Sequence, residues 1–146
     1  MSNHSKDSMP EKTITFQSSY NKVADICEES KKFLCENGAD SHIANAVDIC
    51  LMESLNNVIK HGYKGDQNRE IELVIKYDHP ELELKIIDSG LSRDNLVTPS
   101  LDFDPDDIEN LPEGGMGLYI ISQLMDKLDY ITINGKNIFS MYKKLI

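Results

Sequence analysis

The chain predicts an α+β domain: a two-layer sandwich in which a mostly antiparallel, mixed sheet carries helices on one face. Three observations predict it. IELVIKY (71–77) and ELELKII (81–87) alternate apolar and polar residues, and DHP between them supplies a turn, so they read as a hairpin. ITINGKNIFSMYKK, at the end of the chain, reads as a second hairpin turning at Asn134-Gly135. Helical patterns stand before each hairpin without the regular alternation of a parallel α/β fold, so one sheet with helices packed on a single face is the simplest arrangement.

The elements follow in order. Residues 1–11 open with MSNHSKDSMP, which is polar and lacks the apolar core of a signal peptide; they are expected to be a disordered arm. Residues 12–146 are expected to be a single domain with one core. KTITFQSS alternates enough for a first strand. Over residues 20–37, Val23, Ile26, Cys27, Phe33 and Leu34 fall near helical spacing, and Gly38 stops them. Asp40 or Ser41 can cap the next helix, which runs to about Lys60–Tyr63, where Gly62 and Gly65 close it. After the first hairpin, DSG (88–90) breaks the strand. Residues 91–115 are polar, hold three prolines and include LDFDPDDIENLPE, with six acids and no base. A segment this long inside a small domain is usually functional or mobile. GLYIISQLMDKL (117–128) reads as the last helix.

Net charge is −10, and no Lys/Arg cluster exists, which argues against direct nucleic-acid binding because that depends on basic groups displacing counterions. No apolar run approaches the ~20 residues of a membrane span. Cys27, Cys35 and Cys50 have no CxxC spacing; an odd number of cysteines and no leader suggest reduced thiols in a cytoplasm, and all three are expected to be core or half-buried.

MESLNNVIKHGYKG (52–65) needs a separate explanation, because asparagine is a poor interior helix residue and two stand side by side. On a wheel at about 100° per residue, Ile43, Val47, Cys50, Leu51, Ser54 and Val58 make a stripe toward the sheet. Glu53 and Asn57 lie at its edge, one turn apart. Asn56 points further out. His61 comes a further turn on, where the helix ends. One reading is a polar surface pair, Glu53 bonding Asn57 or water. Zinc fits poorly, because Glu53 and His61 are about 12 Å apart along the axis and one-helix zinc pairs use i, i+4. Oxygen donors suit Mg²⁺, which keeps company with phosphates.

EGGMGLYII (113–121) sets three glycines at a helix start, where free N–H groups can meet an anion. It lacks the GK[ST] of a Walker loop and the preceding strand of a Rossmann turn; a flexible hinge or a capping cluster is the alternative. IIDSG (86–90) ends a strand with a carboxylate that can receive an amine such as adenine N6, or can simply make an Asx turn.

Taken together, Glu53-x-x-x-Asn57-x-x-x-His61, Asp88-x-Gly90 and Gly115-x-Gly117 resemble the asparagine box and the two glycine boxes of the GHKL ATP-binding fold, shared by gyrase, MutL and the histidine kinases. MESLNNVIKHGYKG and GMGLYIISQLMDKLD are similar to its compact members, the bacterial anti-sigma-factor serine/threonine kinases. The resemblance covers roughly residues 12–146. It implies ATP and Mg²⁺ as cofactors, Asn57 as the Mg²⁺ ligand and Glu53 as general base. It further implies Asp88 as receiver of adenine N6, with Gly90 shaping that side. Gly114, Gly115, Met116 and Gly117 would line the phosphates, His61 would stand at the mouth, and residues 91–114 would form a lid. It implies a cytoplasmic bacterial protein, a homodimer, that binds a sigma factor and phosphorylates a STAS-fold anti-anti-sigma protein.

Two features depart from that pattern. The first glycine box usually reads D-x-G-x-G, and Ser92 takes the last place. Some relatives carry a basic residue shortly before the second box, where Pro112 and Glu113 stand here; the only arginines are Arg69 and Arg93. Two other functions therefore stand beside the kinase: a nucleotide-gated binding module with little catalysis, and a partner-binding protein that has lost nucleotide.

Overall fold

A computed structural model describes residues 10–92 and 115–145. Strand β1 (Glu11–Gln17) is followed by helices α1 (Tyr20–Glu36) and α2 (Ser41–Asn57). Next come strands β2 (Glu70–Asp78) and β3 (Glu81–Asp88), helix α3 (Gly115–Leu124), and strands β4 (Lys127–Ile133) and β5 (Lys136–Lys144). The sheet has the order β1-β2-β3-β5-β4. Every pairing is antiparallel, where the expectation had allowed for a mixed one. The first strand begins before the expected domain boundary: Glu11 belongs to β1, and Tyr77 N donates to Pro10 O at 3.0 Å.

The alternation read in the sequence sorts the sheet into two faces. Ile71, Leu73, Ile75 and Tyr77 of β2 and Leu82, Leu84 and Ile86 of β3 are buried, as are Phe139 and Met141 of β5. Against them the helices bury Val23, Ile26 and Leu34 of α1, Val47, Cys50, Leu51 and Leu55 of α2, and Ile121 of α3. Removing one such leucine side chain, for example Leu51→Ala, costs about 2–5 kcal/mol. The opposite face carries no helix among the described residues.

Local chemistry sets the helix ends. Ser19 Oγ accepts from Asn21 N at 3.3 Å to start α1. Asp40, rather than Ser41, caps α2 by accepting from Ile43 N at 2.9 Å. Gly38, at φ +98°, supplies the left-handed turn between them. The α-helical part of α2 ends at Asn57, short of the expected Lys60–Tyr63. A π-helical turn, Val58–Gly62, carries the chain on, with Tyr63 N donating to Val58 O at 2.8 Å. Such turns occur often at functional sites.

Two expectations are corrected. Helix α3 stops at Leu124 rather than Leu128, because Lys127–Ile133 pairs with β5, Leu128 lying opposite Met141. Strand pairing overrides a local helical pattern there. Cys35 is exposed, whereas Cys27 and Cys50 are buried. Burial pushes both buried thiols up to about 12, with Asp48 adding to the effect at Cys27. The Asn134-Gly135 turn is as expected, with φ of 53° and 77° at the two residues, the left-handed pair of a type I′ hairpin.

Candidate functional site

The residues singled out in the sequence converge on one end of the helical layer. Glu53 and Asn57 lie one turn apart on α2, both half-buried. Among the described residues, no hydrogen bond joins them, which removes the simplest surface-pair reading. Asn56 is also half-buried, so exposure does not separate the two asparagines as the wheel had predicted. His61 is exposed on the π-helical turn.

Helix α3 begins beside Glu53. A Cβ added at Gly117 would run into Glu53 Oε1 and come within 3.2 Å of its carboxyl carbon. A side chain at 117 would have to push that carboxylate aside, so glycine is what lets the first turn of α3 lie against it as it stands. The free N–H groups of a helix N-terminus therefore stand next to Glu53, within one helical turn of Asn57. Gly115 and Met116 belong to the same first turn. Gly114, and the expected lid apart from Leu91 and Ser92, lie outside the described residues.

The second part of the site stands at the end of β3. Asp88 is only 3% exposed and Asn137, its partner on β5, 1%. Gly90 N donates to Asp88 Oδ1 at 2.8 Å, so the Asx turn considered for DSG is present. Asn137 Nδ2 also donates to Asp88 Oδ1, at 2.9 Å, and to Gly90 O, at 2.9 Å. Asn137 Oδ1 accepts from Thr132 Oγ1 at 2.8 Å, and Thr132 Oγ1 lies 3.0 Å from Ser92 Oγ. Ser92, the departure from the glycine box, thus ends a hydrogen-bonded chain that runs to Asp88. Sequence reading missed Asn137 because asparagine after Asn134-Gly135 reads as part of the turn. The available signal was parity: Asn137 shares its side of β5 with Phe139 and Met141.

The two parts are tied together. Leu91 N donates to Gly62 O at 2.8 Å, and a Cβ at Gly90 would come within 2.6 Å of the Gly62 carbonyl carbon and 2.9 Å of Tyr63 Cδ1. Tyr63 donates its hydroxyl hydrogen to Glu70 O and accepts from Ser89 N at 2.9 Å. Arg69 caps the Tyr63 ring at 4.7 Å and donates to Ser89 O at 3.1 Å. Burial is the main cause pushing the Tyr63 phenol upward, so the hydroxyl keeps its proton across the physiological range.

A fixed acceptor at one end and, at the other, a carboxylate beside a helix N-terminus that bonds no other described residue suit a ligand with an amine-bearing base and a phosphate tail. The chain belongs to the histidine kinase-like ATPase domain family, whose family model matches residues 16–143. Among curated proteins it is 34% identical over 93 residues to serine-protein kinase RsbW of Bacillus cereus, covering 62% of this chain and 58% of that protein. The same kinase of Bacillus mycoides is 35% identical over 94 residues, with the same coverage of 62% and 58%. The match thus spans somewhat over half the length of these relatives. Among solved structures, the RsbU and RsbW domains of a Mycobacterium tuberculosis protein superpose with TM-score 0.66 at 17% identity, over 92% of this chain and 32% of that one. A SiaB–SiaC complex from Pseudomonas aeruginosa gives TM-score 0.66 at 15% identity, over 96% and 92%. These two likenesses establish the fold. No helix among the described residues is long and apolar enough to cross a membrane.

The donor set fits Mg²⁺ with a nucleotide. Asn57 and Glu53 offer hard oxygens, which Mg²⁺ prefers, together with phosphate oxygens. No cluster of three or more His, Cys, Asp or Glu side chains exists among the described residues. A metal here would therefore depend on the phosphates for most of its ligands.

Proposed function

We propose that the chain is an ATP-dependent serine/threonine protein kinase of a cytoplasmic bacterial partner-switching system. It pairs with itself, binds a sigma factor, and phosphorylates a STAS-type anti-anti-sigma protein. The observation that carries this reading is the Glu53 carboxylate held under the first turn of α3, one helical turn from Asn57. In this reading Asn57 would hold Mg²⁺, which would offset phosphate charge. Gly114, Gly115, Met116 and Gly117 line the phosphates, and Asp88 and Gly90 receive the adenine. His61 stands at the mouth. Glu53 would take the proton of the substrate hydroxyl as that hydroxyl's oxygen bonds the γ-phosphorus and the bond from this phosphorus to the bridging oxygen of the leaving ADP breaks. Transfer of this kind relies on positioning and charge stabilisation more than on covalent help from the protein.

The names of the RsbW relatives support a kinase, and the family supports ATP. The test is phosphate transfer from labelled ATP to purified STAS proteins encoded beside this chain. Transfer that depends on Glu53 is expected; ATP binding with no transfer to any of them overturns the kinase assignment. That outcome would favour the second reading, a nucleotide-gated binding module. Its motive is the acidic and proline-bearing approach to α3, Pro112-Glu113, where a cation would be expected to steady the γ-phosphate.

A further inference from the structure

One large apolar side chain of α2 differs from the rest in its exposure. Ile49 is 44% exposed, whereas Val47, Leu51 and Leu55 are buried and Ile43 and Met52 half-buried. A single exposed isoleucine means little by itself. Its place gives it meaning. Ile49 stands one helical turn before Glu53, which puts their Cβ atoms about 5–6 Å apart on the helix surface. At about 100° per residue, Asn57, Glu53 and Ile49 fall on one slanting line, each about 40° from the next. Met52 lies about 60° beyond Ile49, and Asp48 about 40° beyond Met52. Both help to line an open hollow of about 560 Å³ between the helices, together with Ala24, Glu28 and Lys31 of α1. The exposed strip of α2 is thus bordered on one side by α1, at the hollow. On the other side it is bordered by the first turn of α3, which lies against Glu53 at Gly117.

We infer that Ile49 is a specificity-determining residue for the protein substrate: it receives an apolar side chain that flanks the acceptor serine or threonine. The inference rests on the kinase reading and deepens it. In that reading the phosphates sit on the α3 side of Glu53. The acceptor hydroxyl then has to come from the open side, and the segment that carries it has to cross Ile49. The occupant is an extended stretch of the substrate. Alternate side chains of an extended chain point the same way, roughly 7 Å apart, and adjacent ones point to opposite sides. That repeat is close to the spacing of Ile49 and Glu53. A side chain two positions from the acceptor can therefore rest on Ile49 while the acceptor hydroxyl meets Glu53. Charge does not select the segment, because the hollow mixes Lys31 with Glu28 and Asp48. The apolar contact carries the recognition.

The test is steady-state transfer from labelled ATP to the STAS proteins encoded beside this chain, with the acceptor mapped by mass spectrometry. Ile49→Ala keeps a strong helix former and removes the apolar surface. It should raise the KM for the STAS protein about tenfold and leave kcat and ATP affinity at wild-type values. Ile49→Leu should restore the KM. Alanine in place of the substrate's apolar residue two positions from the acceptor should raise the KM likewise, and the two changes together should add little. A merely structural role for Ile49 would lower kcat or ATP affinity as well, because Glu53 and Asn57 lie on the same helix; that result overturns the assignment. An unchanged KM in Ile49→Ala, or a mapped acceptor with no apolar side chain two positions away on either side, overturns the subsite and leaves the kinase standing. A wild type that binds ATP and transfers phosphate to none of these proteins overturns the kinase reading and the subsite with it.

Discussion

The two ends of the candidate site are built in opposite ways. At the Asp88 end, polar groups are tied to one another: Asp88 to Gly90 and Asn137, Asn137 to Thr132, Thr132 to Ser92. At the Glu53 end, neither Glu53 nor Asn57 bonds to the other or to another described residue, although both are half-buried. Asp88 and Asn137, the buried members of that network, are bonded to each other and so hold one geometry, which suits selection of a base. Oxygens left uncommitted are available for a cation, a phosphate or a substrate proton. The difference separates an end whose geometry is already set from one that a ligand would have to complete.

The sharpest way to break this contrast is Glu53→Ala. Loss of a general base lowers transfer by about 10²–10⁴-fold. Because Glu53 holds no other described residue in place, ATP affinity should stay near wild type. Turnover measured beside calorimetric binding separates the two effects. Equal loss of binding and turnover would mean that Glu53 belongs to the structural end.

Asn57→Ala comes next. Removing a metal-binding oxygen should weaken Mg-ATP by about 100-fold, or ~2.7 kcal/mol. Asn56→Ala should change it by less than ~0.5 kcal/mol, the usual range for a residue outside such a feature. Since both asparagines are half-buried, exposure cannot explain a difference between them; only their positions on the helix can. Titration with and without Mg²⁺ decides. Equal effects would assign the wrong face of α2 to the site.

Asn137→Ala tests the bonded end. It removes two donors and one acceptor from a buried network, and each group left unsatisfied costs about 1–3 kcal/mol. If Asn137 orients Asp88 toward an amine, affinity for ATP should fall more than affinity for inosine triphosphate, which has an oxygen in place of that amine. A merely structural role would weaken both equally. The preference ratio is the readout, with thermal stability recorded alongside.

Much of this could be read in the chain before folding was considered. The hairpins were legible because alternation and turn chemistry are local, and Asn134-Gly135 specifies its own turn. The places of Glu53 and Asn57 one turn apart on a helix, of Asp88 at a strand end and of Gly117 at a helix start were legible because helical spacing and turn signals are local. What was not legible depends on partners far along the chain. Lys127 and Leu128 continue a helical pattern and become strand only because β5 is there to pair with. Asn137 gains its meaning from Asp88, 49 residues away. The π-helical turn has no sequence mark beyond Gly62 at its end and Gly65 after it, yet its Gly62 carbonyl anchors Leu91.

Apart from the Asn56→Ala control, Tyr63→Phe carries the smallest expected effect, and it probes how the two ends are joined. The phenol hydroxyl serves Glu70 O and Ser89 N, so its removal strands one acceptor and one donor while the ring stays under Arg69. Glu70 lies on an exposed strand end, where water can replace the lost bond, so the net loss should be about 1 kcal/mol of stability. The raised phenol pKa makes the wild-type contact independent of pH through neutrality: the proton is held below the ordinary tyrosine value and is lost only above it. The difference in stability between Tyr63→Phe and wild type should therefore stay constant from pH 6 to 9, about one unit short of ordinary tyrosine ionisation. Denaturant midpoints across that range measure it. A difference that shrinks within the range would mean that Tyr63 ionises there, and that the loop holding Asp88 is less firmly fixed than its hydrogen bonds indicate.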